Sequence, residues 1–139
     1  MTMRMTLEPT ARVRGARRVR AIFAVALARG LVRLSPRRLR AVLTTASRGA
    51  GPTDPDRALL ARNAVVAVSK RCAAQQCLQR SVAAALLCRM SGRWPTWCTG
   101  IRVQPFRAHA WIEAGGQPVG EESDMSLYVK VMEVRSRAR

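Results

Sequence analysis

Between residues 16 and 34, apolar side chains recur at Val19, Ile22/Phe23, Ala26/Leu27, Leu31 and Leu34, the spacing of one face of a helix. Ser35-Pro36 interrupts this pattern; Ser is a good N-cap and Pro suits a first helical turn. A second helix is predicted over 36–47, with Leu39, Val42 and Leu43 on one side and Arg37, Arg38 and Arg40 on the other. Residues 47–52 read as a connection. Thr53 or Asp54 caps the next helix, which carries Pro55 just inside it and runs to about Lys70. Leu59, Leu60, Val65, Val66 and Val68 are its candidates for burial. The run 77–90, CLQRSVAAALLCRM, predicts a strong helix closed by Ser91-Gly92.

From residue 98 the pattern becomes strand-like. Strands are predicted at 98–103, 108–113 and 117–121, with a last strand or irregular segment over 126–134. Residues 1–15 lack periodicity and read as irregular. Helices first and strands afterwards indicate an α+β fold with a small antiparallel sheet. Trp94, Trp97, Phe106 and Trp111 are expected in the core or as cleft walls.

Charge changes the picture. The chain carries 25 basic and 8 acidic residues, a net of +17. Residues 1–50 hold twelve Arg against Glu8 alone, whereas residues 101–139 are nearly neutral. An arginine-rich helical region over 1–50 is therefore distinguished from a domain over 51–139. The arm points to an anionic partner: an acidic polypeptide, an anionic membrane or nucleic acid. Nucleic acid is the weaker candidate, because Phe23 is the only aromatic residue before Trp94.

The Arg-rich start and the short apolar run Ala21–Ala28 imitate a signal peptide, but the continuing helical spacing of Arg29 and Arg33 argues against one. No window is long and apolar enough for a membrane span. The four cysteines, Cys72, Cys77, Cys88 and Cys98, form no C-x-x-C pair. They read as free thiols in a reducing cytosol, with no metal and no cofactor, although a Cys–His zinc site through His109 is an alternative.

One constellation carries candidate chemistry. Cys77 stands at the start of an apolar helix, where unpaired N–H groups, the helix dipole and the nearby Arg71 and Arg80 favour a thiolate. Cys72, Cys88 and Cys98 read as buried structural residues. His109 is the only histidine. It begins an alternation that sets His109, Trp111 and Glu113 on one strand face. Ala114-Gly115-Gly116 signals a hairpin turn. A three-residue loop places Glu121 opposite His109, and a two-residue loop places Glu122 there. Either acid can orient the imidazole and support its charged form. The oxyanion donor is not readable from Arg71, Gln75 or Gln76; the Cys77 backbone N–H is a reasonable candidate.

Residues 77–121 closely resemble the transglutaminase-like leader peptidases of lasso-peptide biosynthesis. The likeness rests on Cys77-Leu78-x-Arg80-Ser81, the apolar helix through Leu87, Gly100-Ile101-Arg102, Pro105-Phe106-x-Ala108-His109-Ala110-Trp111 and the acidic end of the hairpin. It extends more loosely over about residues 30–134. The resemblance implies an ATP-independent cysteine peptidase over 51–139, of papain-like or transglutaminase-like core. It would remove the leader from a ribosomally made precursor peptide. By the same resemblance Cys77 is the nucleophile, His109 the base and Glu121 the orienting acid, at a position where family members often have Asp. Implied partners are the leader region of the precursor, a separate leader-binding recognition protein and a separate ATP-using lasso cyclase. The N-terminal region shows no strands of a fused leader-recognition domain. Rival readings are a nucleic-acid-binding protein and a transglutaminase-type acyl transferase using the same triad.

Overall fold

Alanine supplies the fully buried positions along the first helix. The computed structural model describes residues 15–73, 76–121 and 124–137. Helix α1 (Ala16–Leu31) buries Ala21, Ala24 and Ala28. They meet Ala83, Ala84 and Ala85 of α5 (Cys77–Met90) in one core cluster. Small side chains on both helices let the backbones approach closely, and dispersion grows with that contact. The larger residues Val19, Ile22, Phe23 and Leu27 point outward, whereas Leu31 and Leu34 at the end of the same stripe pack partly buried against the core. The sequence pattern located the helix, and only the end of its apolar stripe is packed inside. The irregular stretch expected over 1–15 lies outside the described residues apart from Gly15.

Ser35 caps α2 (Pro36–Ser47), accepting a hydrogen bond from the Arg38 N–H. Leu39 and Leu43 are buried, while Val42 is exposed. Asp54 caps α3 (Pro55–Val68) with an Oδ1 that accepts from Arg57 N at 2.8 Å. Leu59 and Leu60, expected inside, are exposed, because α3 turns Ala58, Ala61 and Val65 toward the core. A short helix α4 (Lys70–Ala73) precedes α5. Two elements had no sequence signal: β1 (Gly51–Pro52) pairs in parallel with β2 (Arg93–Trp94).

The sheet follows. Strands β3 (Thr96–Val103), β4 (Phe106–Ala114), β5 (Gln117–Pro118) and β6 (Val129–Val134) run in the spatial order β5-β4-β3-β6, every pair antiparallel. The arrangement is α+β, with helices preceding an antiparallel sheet. One sheet face presents Trp97, Ile112 and Ala114 to the helices. The other carries Cys98, Trp111 and Tyr128 as a separate small cluster. Trp94 and Trp97 are fully enclosed, and the Trp97 Nε1–H donates to Ser81 Oγ of α5 at 3.0 Å. Phe106 departs from expectation. It stands 71% exposed beside the β3–β4 turn, beyond the reach of the helical layer.

The third predicted strand, 117–121, is cut short. Ladder pairing ends at Pro118, and Gly120 at φ +68° turns the chain away. A Cβ on Gly120 would also lie 2.7 Å from Arg62 Cδ, so a side chain there is strained by the backbone and must displace the arginine. Among the described residues, no helix is long and apolar enough to cross a membrane.

Candidate active site

Because β5 is only two residues long, most of the outer edge of β4 has no strand beside it. The Ile112 carbonyl accepts from Val119 N at 3.0 Å on that edge. Backbone groups two residues apart point to the same side of a strand, so Ala110 also presents its N–H there, past the end of β5. The start of α5 occupies this opening. Cys77 is the first residue of α5, and Gln76 before it supplies no side-chain cap. The Cys77 thiol faces the His109 ring and the Ala110 backbone, whose hydrogen-bonding groups act on its ionisation.

The third group arrives from the bend after β5. His109 Nε2 and Glu121 Oε1 are 3.0 Å apart, with both side chains largely buried. This contact leaves Nδ1 as the ring nitrogen for the thiol. Cys77, His109 and Glu121, the three residues named from the sequence, therefore stand in one line. The turn that delivers the acid is not the one that favoured Glu121. Ala114 pairs with Gln117, so the loop is the two-residue Gly115-Gly116 form. Glu121 reaches His109 through the bend at Gly120 rather than through strand register. The competing Glu122 lies outside the described residues, as do Gln75 and the Arg71 side chain.

The ring of His109 is held by aromatic neighbours. It stacks on Trp111, with centroids 5.9 Å apart and planes 15° from parallel, and meets Tyr128 at 5.7 Å. Arg102 lies over the Tyr128 ring, 5.7 Å from its centroid. Gly100 makes room for this group: a Cβ there would sit 2.8 Å from Trp111 Cη2 and 2.7 Å from the Val129 carbonyl. Tyr128 and Gly120 were not singled out as site residues. The Gly before Glu121 was the available signal for the bend; Tyr128 reaches the site only through tertiary packing.

The other carboxylate on the His109 face is committed elsewhere. Glu113 accepts from Trp111 Nε1 at 2.9 Å and from Lys130 Nζ at 2.8 Å. It fixes the Trp111 ring and not the imidazole.

Electrostatics separate the cysteines. Burial pushes the Cys77 thiol up, but the hydrogen bonds from His109 and the Ala110 backbone outweigh it. The charges of His109 and Arg80 add to them and hold the thiol below its ordinary range. Hydrogen bonds to Cys77 and to Glu121 push His109 up to about 9 against the effect of burial. Cys88 and Cys98 are pushed up to about 12, chiefly by burial, and Cys72 is raised for the same reason. All four cysteines are free, and only Cys77 sits where a thiolate is favoured. No group of three or more metal-ligating side chains occurs among the described residues.

A thiolate–imidazolium pair backed by a carboxylate, at the junction of a helix start and a sheet edge, is equipped for nucleophilic attack on an acyl carbon. Searches against curated proteins and against solved structures gave no match. The family model of the transglutaminase-like superfamily matches residues 21–134, a span that includes α1 from Ala21, α5 and the whole sheet. The chain belongs to the transglutaminase-like superfamily.

Proposed function

We propose that the protein is a cysteine peptidase that removes the leader from a ribosomally made precursor of the lasso-peptide type. The observation that carries the reading is the Cys77–His109–Glu121 line, in which thiol and imidazole are both displaced toward their charged forms. The Cys77 thiolate attacks the scissile carbonyl, and the Cys77 backbone N–H, at a helix start, faces the developing oxyanion. The His109 imidazolium gives its proton to the leaving amine as the C–N bond breaks, which leaves a thioester on Cys77. His109, now neutral, takes a proton from water, and the resulting hydroxide displaces the thiolate to release the carboxylate product. Glu121 holds the ring tautomer and balances its charge throughout. No ATP is consumed, so closure of the ring falls to a separate ATP-using cyclase. A separate leader-binding protein delivers the precursor.

The superfamily also contains acyl transferases, which differ only in the nucleophile that resolves the thioester. Incubation with a candidate precursor and its leader-binding partner, followed by mass analysis, decides. Two fragments whose masses sum to the precursor plus one water support the peptidase. A product joined to an added amine assigns the chain to transfer. An intact precursor in the presence of folded protein and partner overturns the reading.

A further inference from the structure

The far end of α5 holds a second polar concavity. It is an open groove of about 360 Å³ between the starts of α1 and α3 and the end of α5, lined by Arg17, Arg20, Arg57, Arg93 and Thr53. Cys88 also lines it, eleven residues after Cys77 and so about 16 Å further along the helix axis. It is separate from the catalytic line.

The arginines are only partly engaged. Arg57 pairs loosely with its own helix cap, Asp54, at 3.5 Å, and Arg93 donates to the Pro52 carbonyl at 3.1 Å. Arg17 and Arg20 stand one turn apart on α1 and have no hydrogen-bond or ion-pair partner among the described residues. Such an accumulation of like charge is destabilising unless an anion offsets it.

The groove is not purely polar. Leu60, 48% exposed, gives it an apolar wall. The solvent-facing Val19 and Phe23 of α1 flank Arg20. Compact inorganic anions have no use for such a wall; a peptide with alternating acidic and apolar residues matches both parts.

We propose that this groove binds an acidic, leucine-rich segment of the peptide substrate, with carboxylates on the arginines and apolar side chains against Leu60. The proposal rests on the peptidase reading for the identity of the ligand, and its test is independent of cleavage. The full-length Cys77→Ala protein is titrated into a fluorescein-labelled nonapeptide of alternating Glu and Leu, and binding is read by anisotropy. The expected result is saturable binding that weakens at least tenfold in an Arg17→Gln/Arg20→Gln/Arg57→Gln variant of unchanged melting temperature. Binding also weakens as salt rises from 50 to 300 mM, roughly as expected for screened charges.

A Gln-for-Leu probe binds more weakly, and a Gln-for-Glu probe does not bind. Equal affinity of the parent and triple variants for the Glu probe overturns the proposal. Displacement of the probe by inorganic phosphate at lower concentration than by unlabelled peptide also overturns it, because the groove is then a phosphate site. If no precursor is cleaved yet the probe binds through these arginines, the peptidase reading fails and the groove stands. If a precursor is cleaved with the same KM by the triple variant, the groove fails and the peptidase reading stands.

Discussion

His109 Nε2 and Glu121 Oε1 meet at 3.0 Å, although the strand register of the hairpin, continued past Pro118, would set residue 122 opposite His109. The contact exists because Gly120 breaks the strand one residue earlier. Glu121→Gln keeps the size of the side chain and removes its charge, so the imidazolium loses its support. We expect turnover to fall by about 10²–10⁴, while Glu122→Gln stays near the parent value. Single-turnover cleavage by the two variants, alongside a nearly inactive His109→Ala, makes the comparison; a crippled Glu122→Gln would reverse the assignment.

Gly120 itself is the more sensitive position. Alanine there must adopt φ +68° and meets the Arg62 side chain at 2.7 Å. The left-handed backbone alone costs about 1–2 kcal/mol. We expect Gly120→Ala to fold with a lowered melting temperature and to lose turnover well beyond that loss of stability, because Glu121 is displaced. Normal turnover in a folded Gly120→Ala protein counts against the bend as the device that delivers the acid.

Cys77→Ala should abolish cleavage and leave the melting temperature within a few degrees of the parent. Cys72→Ala, Cys88→Ala and Cys98→Ala should retain activity, each with a stability loss of about 1 kcal/mol from the small cavity created. Thermal melts and cleavage assays on the four variants check both halves of the expectation.

The pH dependence follows from the shifted pair. Cys77 is held below its ordinary value, so its alkylation by iodoacetamide should reach half its maximal rate at a pH below the usual ~8.5 of a free cysteine. His109 is raised to about 9, so cleavage should decline as pH rises through that value and the imidazolium is lost. For stability the sign is that of a raised base. The contribution of His109 is present below about 6.5, the unfolded value, and fades between there and about 9. In His109→Ala the alkylation midpoint should move upward; an unmoved midpoint means that the ring does not stabilise the thiolate.

How far the sequence could be read depended on the range of the interaction involved. Capping is local, so Ser35-Pro36 and Asp54-Pro55 placed the starts of α2 and α3 correctly. Cys77, His109 and Glu121 were all named because each has a residue-level reason to be reactive. What failed was the choice between two faces of a helix. Hydrophobicity favours Val19, Ile22 and Phe23 as the inner face of α1, yet an Ala-lined partner, α5, selects the Ala face by fit. Glu121 was favoured through a turn length that the structure does not show, since register arithmetic assumes that a strand continues, and Gly120 ends this one. The pairing of Gly51–Pro52 with Arg93–Trp94 joins segments about forty residues apart, and no local pattern encodes it.

The stacking of His109 on Trp111 also gives the site an optical signal of its own. An indole in contact with an imidazole emits less when the ring is protonated, and Trp111 is the only tryptophan stacked on His109 among the described residues. Trp94 and Trp97 donate instead to a backbone carbonyl and to Ser81, and supply a background that does not depend on the ionisation of His109 by contact. Emission recorded across a pH titration, with Trp111→Phe as the blank, should therefore brighten as His109 loses its proton near pH 9. Such a titration needs no substrate or partner, and it lets binding be followed wherever a bound peptide changes the charge on the imidazole.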